Sequence, residues 1–340
     1  MDIETNIEAI PNARPRGKNA SPQLVVITPV YNEEANLDRY AEVVSDVLLS
    51  LPDVDVRILF VDDGSRDISW QKIAALTQAS ARFSAIRLSR NFGSHLALAA
   101  GFDSVGADVD AVAILACDLQ DPPAALLEFV RAWRGGADIV WGQRRSRADE
   151  GWRRTASNLL ETILRRYAMP RHSRFTTGSF LLIDRKVLAC LTQFREQSRV
   201  TFALVAWTGF NQAVVPYDRQ PRLAGRSGWR LGQMFNTAYD VLIGFSPLPA
   251  KVITGAGFGM FVVSLFVLVY LLLTWAIGHV QPGWTGMMAT MTICFGVLFM
   301  MVGVTAEYLH RIFIEAKNRP LYFVADYAGQ ARHSTEPERG

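Results

Sequence analysis

The chain has 340 residues and a formal net charge of +3 at pH 7, a balance too small to argue for a nucleic-acid partner. Its length allows one large domain with something smaller attached. The three cysteines, Cys117, Cys190 and Cys294, are widely spaced in apolar runs, which excludes a disulfide framework or a metal spacing and predicts a reducing compartment.

Residues 1–21 are polar, carry Pro11 and Pro15 and have no apolar h-region, which predicts a disordered arm and not a signal peptide. Gln23–Val30 is apolar and reads as a first strand. It runs into Thr28-Pro29-Val30-Tyr31-Asn32-Glu33-Glu34, where Pro29 ends the pairing and Asn32 is placed to cap a helix from about Glu33 to Leu51. Leu37, Tyr40, Ala41, Val44 and Leu48 recur at helical spacing there. Val54–Val61 reads as a second strand, ending in Asp62-Asp63-Gly64-Ser65. Two carboxylates at a strand end, then a glycine for a tight turn, suit a ligand edge. The plainer reading is a turn in which Ser65 or Asp67 caps a helix to Ala79.

Ala85–Leu88 reads as a short strand and Leu96–Val105 as a helix. The loop between them is Ser89-Arg90-Asn91-Phe92-Gly93-Ser94-His95, in which Arg90 suits a phosphate. His95, alone near a helix start, reads as a capping or hydrogen-bonding residue rather than a base. Val112–Cys117 is a buried-strand run, followed at once by Asp118, Gln120, Asp121, Pro122 and Pro123 and a helix Pro122–Arg134. In open α/β sheets ligands sit beyond the carboxyl ends of strands, and oxygen ligands there suit a hard divalent cation carrying substrate phosphates. Asp121 before Pro122 fits a helix N-cap, and Asp118 either serves a ligand or ends a strand. Asp138–Gly142 is a further strand, closing on Gln143-Arg144-Arg145-Ser146-Arg147. Strand and helix thus alternate about five times over the first ~145 residues, which predicts a doubly wound, mostly parallel α/β sheet. The absence of Gly-x-Gly-x-x-Gly after the first strand and of Gly-x-x-x-x-Gly-Lys disfavours a dinucleotide site and a P-loop.

Trp152–Tyr167 reads as a basic amphipathic helix, at a membrane interface or packed on the sheet. Another strand falls within Thr176–Arg185, a helix at Phe202–Trp207, and a strand at Gly209–Val215 leading to Tyr217-Asp218-Arg219-Gln220-Pro221-Arg222. Leu223–Arg230 is a glycine-rich basic loop of the kind that closes over phosphates, and Leu231–Phe245 is a second amphipathic stretch. Val252–Ile277 and Gly283–Ala306 contain no charged residue. At about 1.5 Å per residue each is long enough to span a bilayer. Gly278–Pro282 between them lacks Lys and Arg, whereas Arg222, Arg226, Arg230 and Lys251 precede the pair and Arg311, Lys317 and Arg319 follow it. The positive-inside rule then predicts a two-helix hairpin with both termini cytoplasmic.

Together these residues resemble family 2 glycosyltransferases of the GT-A fold, and more narrowly the polyprenyl-phosphate group of bactoprenol glucosyltransferases and dolichyl-phosphate mannosyltransferases. The resemblance rests on Thr28–Glu34, Val61–Ser65, Arg90–Gly93, Asp118–Pro123, Trp207–Phe210, the Arg222/Gly225/Ser227 loop and Glu315–Tyr322, and covers roughly residues 22–325. It implies an inverting transfer from a nucleotide-sugar, UDP-glucose-like, to polyprenyl (undecaprenyl) phosphate, for surface-glycan synthesis or modification. The implied division is a cytoplasmic catalytic domain at 22–229, a juxtamembrane amphipathic helix at 230–250, transmembrane helices within 251–310 (about 252–277 and 284–306) and a cytoplasmic tail at 311–340. The implied location is the inner (plasma) membrane, with the unpaired helix faces open to a homo-oligomer.

The resemblance also implies residue roles. Pro29, Tyr31, Glu33, Asp62, Asp63, Arg90 and Asp118 would bind the donor, and Asp118 with Gln120 would hold Mg²⁺ or Mn²⁺. Arg144, Arg147, Arg219, Arg222 and Ser227 would hold the acceptor phosphate, and Asp118, Ser179 and Arg222 would act in catalysis. The chain departs from the family pattern at three positions. Ala116 stands where the first Asp of Asp-x-Asp is usual, Ser179 where Gly-Asp-Phe has its Asp, and Gly228 where a Lys often follows the loop serine. The alternatives are transfer to another acceptor, such as a growing glycan, and a catalytically inactive binding or scaffold subunit.

Overall fold

A computed structural model describes residues 21–48, 53–145, 179–197, 199–220, 248–277 and 283–329. The chain divides into two units, 1–238 with 320–340, and 239–319. In the first, the strands are β1 Gln23–Val30, β2 Asp55–Asp62, β3 Phe83–Leu88, β4 Ala111–Ile114, β5 Ile139–Arg144, β6 Leu181–Asp184, β7 Gln212–Tyr217 and β8 Val324–Ala328. The helices are α1 Leu37–Val47, α2 Ser69–Ala79, α3 Ser94–Asp103, α4 Ala125–Arg134, α5 Arg185–Leu191 and α6 Thr201–Trp207.

The strands form one sheet in the order β7-β5-β6-β4-β1-β2-β3-β8. Neighbours among β4, β1, β2 and β3 are parallel, as are β5 and β7, while β6 and β8 run antiparallel to theirs. The doubly wound, mostly parallel sheet is therefore present. Its central strands are continuous apolar runs because both faces are covered. Leu24, Val26 and Val30 of β1 share one core with Leu37, Tyr40 and Val44 of α1 and with Leu126, Phe129 and Trp133 of α4. On the other face α3 comes so close that a Cβ on Gly101 would lie 2.8 Å from Ile27 Cγ2 and 3.2 Å from Val61 Cγ2.

Several boundaries differ from the sequence reading. The strand expected over Val112–Cys117 stops at Ile114. Its antiparallel neighbour β6 begins at Leu181, opposite Ile114, and β1 pairs with it no further than Ile27. The Leu115 N–H gives a last bond to the Ile27 carbonyl at 3.1 Å, and Ala116 and Cys117 lie beyond the paired residues although they are apolar enough to continue the strand. The helix expected from Pro122 starts at Ala125, and the one expected from Glu33 starts at Leu37. The largest addition is β8, in the segment read as a tail. It pairs with β3, and Gly329 beyond it takes φ +72° against the Phe83 carbonyl. The expected arm at 1–21, nearly all of it, the amphipathic stretches Trp152–Tyr167 and Leu231–Phe245, and the basic loop Leu223–Arg230 lie outside the described residues.

The second unit holds two long helices, α7 Leu248–Ala276 and α8 Trp284–Ala316. They run antiparallel, since Cys294 lies 3.6 Å from Met260 and a Cβ on Gly257 would meet Met301. Large apolar side chains are exposed along both, including Phe258, Phe266, Ile293 and Phe299. Among the described residues one helical run, Ile293–Ala316, is long and apolar enough to cross a membrane by length and composition, and Gly257–Val267 is a shorter apolar run.

Candidate active site

The parallel strands end together, and the loops leaving them are joined by side-chain to backbone bonds. Beyond β1, Asn32 takes a left-handed φ of +53° and does not cap α1. Instead its Oδ1 accepts from Arg66 N–H at 2.8 Å, and its own N–H donates to Ser65 Oγ at 3.0 Å. Glu33 N–H donates to Ser69 Oγ, and Glu34 N–H to Asp67 Oδ2. Asp67 also receives the Ser69 N–H at 3.0 Å, close to the capping role read for it, while Ser65 is spent across the loops. Short polar side chains are suited to this work because they bond local backbone. Tyr31 is left exposed on the β1 loop.

The paired carboxylates at the end of β2 have distinct partners. Asp62 is fully buried; its Oδ1 accepts from Ser65 N–H at 3.1 Å and its Oδ2 lies 3.2 Å from Arg87 Nε. Arg87 also donates to the Ser65 carbonyl and lies 4.0 Å from Asp326 of β8. Asp63, also buried, accepts from Phe92 N–H at 2.7 Å and Gly93 N–H at 2.9 Å. Burial pushes both carboxyls above their usual range, against the lowering effect of those N–H donors and of Arg87 and Arg90. Gly64 at φ +67° lets the turn lie directly on the backbone of Arg90 and Asn91. The side chain of Arg90 is exposed and its guanidinium sits 4.0 Å from the Phe92 ring centroid. The visible work of Asp62 is thus to hold the Gly64–Ser65 turn, that of Asp63 is to hold the Arg90 loop, and Arg87, which the sequence reading missed, braces the same turn. A lone arginine inside a strand gives no sequence signal of that role.

Beyond β4, Asp118 is 9 % exposed and its Oδ1 accepts from Gln120 N–H at 3.3 Å. Leu119 between them is left-handed at φ +52° although buried, a conformation costing about 1–2 kcal/mol for a residue with a Cβ. Gln120 is tied to the end of β7: its backbone carbonyl accepts from Gln220 N–H at 2.9 Å and its Oε1 accepts from Arg219. Asp121 does not cap α4, whose N-cap is Ala124; its Oδ1 accepts from the Tyr217 hydroxyl at 2.5 Å. The aspartate is drawn away because α4 starts three residues later than Pro122 suggests. Arg144, at the end of β5, donates from Nε to the same hydroxyl at 3.3 Å. Ser179 is half-buried at the entry to β6.

Among the described residues no group of three or more His, Cys, Asp or Glu side chains could hold a metal ion. One carboxylate, Asp118, with the Gln120 amide oxygen fits a hard cation only where phosphates and water complete its shell. Arg147, Arg222 and Ser227, expected at the acceptor, lie outside the described residues. Pro29 pairs in register with Val61 inside the sheet.

Comparison with known proteins gives the chemistry a family. The glycosyl transferase family 2 model matches residues 25–192. A glycosyltransferase of Synechocystis, sll0501, is 37% identical over 310 residues, covering 90% of this chain and 96% of that protein. The prophage-derived bactoprenol glucosyl transferase of Shigella flexneri is 29% identical over 304 residues, covering 89% of this chain and 97% of its own. Among solved structures, the mannosyltransferase PcManGT of Pyrobaculum calidifontis with GDP-Man and Mn²⁺ gives a TM-score of 0.44 at 15% identity, covering 84% of this chain and 88% of that one. The chain belongs to glycosyl transferase family 2 and is a glycosyltransferase.

Proposed function

We propose that the protein moves a sugar from a nucleotide-sugar to a polyprenyl phosphate at the cytoplasmic face of a membrane, with inversion at the anomeric carbon. The observation that carries this reading is the convergence of the β1, β2, β3 and β4 loops with Asp118, Gln120, Arg144 and Arg219 at one end of the sheet. The full-length likeness to bactoprenol glucosyl transferases supports the lipid acceptor.

In this reading the donor lies over the strand ends, with Tyr31, Glu33 and Arg90 facing the nucleotide and Asp62 and Asp63 beneath, holding the loops. A Mg²⁺ or Mn²⁺ ion held by Asp118 and Gln120 would neutralise the leaving diphosphate. The acceptor phosphate is already ionised at neutral pH, so an oxygen of it attacks the anomeric carbon without a base, and the bond to the diphosphate breaks. The Ser179 hydroxyl, a poor base, is compatible with such an acceptor. What remains for the protein is positioning and charge neutralisation, shared among Arg144, Arg147, Arg219, Arg222 and Ser227. Helices α7 and α8 form the membrane hairpin, with Lys251, Arg311, Lys317 and Arg319 on the cytoplasmic side.

The test incubates purified full-length protein with radiolabelled nucleotide-sugars, Mg²⁺ or Mn²⁺ and undecaprenyl phosphate. A lipid-extractable labelled product is expected, and its absence with every common donor refutes the reading. A water-soluble product would point to another acceptor. Ala116 and Ser179 favour one rival, an inactive scaffold, which predicts that Asp118→Ala leaves cellular function intact.

A further inference from the structure

The acceptor side contains a buried acid with no part in the steps above. Asp121 and Tyr217 are each 4 % exposed, and they meet through the 2.5 Å bond from the Tyr217 hydroxyl to Asp121 Oδ1. Burial first, and then the Asp121 charge, push the phenol up to about 12, so the hydroxyl keeps its proton at any physiological pH. Its lone pair is thereby turned outward, where Arg144 Nε donates to it at 3.3 Å.

The ring leaves the hydroxyl little freedom. It packs edge-on to Phe180 at 5.3 Å, and a Cβ on Gly142 would come within 2.8 Å of Tyr217 Cε1. The Arg145 N–H to Tyr217 carbonyl bond at 2.9 Å joins the two strand ends beside it. Three elements therefore converge on one oxygen: the β4–α4 turn through Asp121, β7 through Tyr217 and β5 through Arg144. A surface arginine ordinarily samples many rotamers, and holding it costs entropy. A fixed hydroxyl at Nε leaves the outer nitrogens of the fork for a phosphate.

We propose that Asp121 and Tyr217 are positioning residues for the acceptor phosphate: Asp121 aims the Tyr217 hydroxyl, and that hydroxyl holds the Arg144 guanidinium in the orientation that binds it. The inference rests on the reading of Arg144 as an acceptor residue and adds the chain of contacts that sets it.

The experiment measures binding of farnesyl phosphate and of farnesol to detergent-solubilised full-length protein; their affinity ratio isolates what the phosphate contributes. Arg144→Gln tests the underlying reading and is expected to remove most of that ratio. Tyr217→Phe keeps the ring and is expected to lower the ratio about 3- to 10-fold, the size of one ordinary net hydrogen bond, as suits the 3.3 Å separation. Farnesol affinity should stay within about twofold, which a general loss of structure would not allow. Asp121→Ala should match Tyr217→Phe, whereas Asp121→Asn, which keeps a carbonyl acceptor, should recover most of the ratio. If Arg144→Gln lowers the ratio and Tyr217→Phe leaves it at the wild-type value, the positioning role is overturned. If Arg144→Gln also leaves it unchanged, the acceptor assignment of Arg144 fails and the inference with it.

Discussion

Gly64 is the residue on which the turn after β2 meets the Arg90 loop, and Gly64→Ala tests that close approach directly. An alanine there must adopt φ +67°, costing about 1–2 kcal/mol. Its Cβ would also lie 2.5 Å from Arg90 C, 2.8 Å from Arg90 Cα and 2.8 Å from Asn91 N. These are backbone atoms fixed by the Asp63 bonds to Phe92 and Gly93, so no side chain can swing away. Overpacking of this kind costs about 1–3 kcal/mol more, for a total of roughly 2–5 kcal/mol. Gly93 is the internal control: its φ is +96°, but a Cβ there meets nothing within 4 Å. Both variants carry positive-φ strain, so the difference is the overpacking alone, and thermal unfolding of the purified protein should show Gly64→Ala melting about 2–12 °C below Gly93→Ala, at about 2–4 °C per kcal/mol for a unit of this size. Nucleotide-sugar affinity should fall in the same variant, because relief of the clash moves the Arg90 loop. Equal melting points for the two variants would refute the close approach as the reason for the glycine.

Further outcomes follow from the rest of the structure. Asp118→Ala should abolish transfer and Mn²⁺ binding in the presence of nucleotide, and Ala116→Asp should tighten Mn²⁺ binding, both read by titration calorimetry. Burial raises the Asp62 carboxyl in the folded state, so its ionisation costs stability as pH rises from the unfolded value toward the folded one. The melting point of Asp62→Asn relative to wild type should therefore climb as pH rises above about 4, the ordinary carboxylate value, and a flat or falling difference contradicts the burial argument. Tyr322 donates to Asp103 Oδ2 at 2.7 Å, and Arg195 binds the same oxygen. Tyr322→Phe should cost about 1 kcal/mol, and a chain ending at Arg319 should expose β3 to limited proteolysis, since β8 and the Ser89–Phe323 backbone bond would be gone.

Much of the fold is legible in residue order. The apolar runs of β1 to β5 are buried on both faces, so each reads as a strand wherever it lies, and each polar cluster follows one. The charge-free stretches mark α7 and α8 by composition alone, because length and hydropathy are local properties. Departures from the family pattern at Ala116 and Ser179 are equally visible as letters.

Other features depend on partners far away in sequence. Asp121 satisfies every local rule for a helix cap, yet its bond goes to Tyr217, 96 residues on, because a buried hydroxyl must find an acceptor. Val324–Ala328 carries too weak a pattern to read as a strand, and it becomes one because the edge of β3 offers unpaired backbone groups. Asp62 and Asp63 read as ligand contacts from their place at a strand end; burial decides that they first hold the turn and the Arg90 loop. The amino-acid order by itself determines which segments are apolar, where the chain turns and which polar residues stand at the strand ends. Only the tertiary structure decides which of those polar groups bond one another, because a carboxylate's partner is chosen by distance and desolvation, and neither is a property of neighbouring letters.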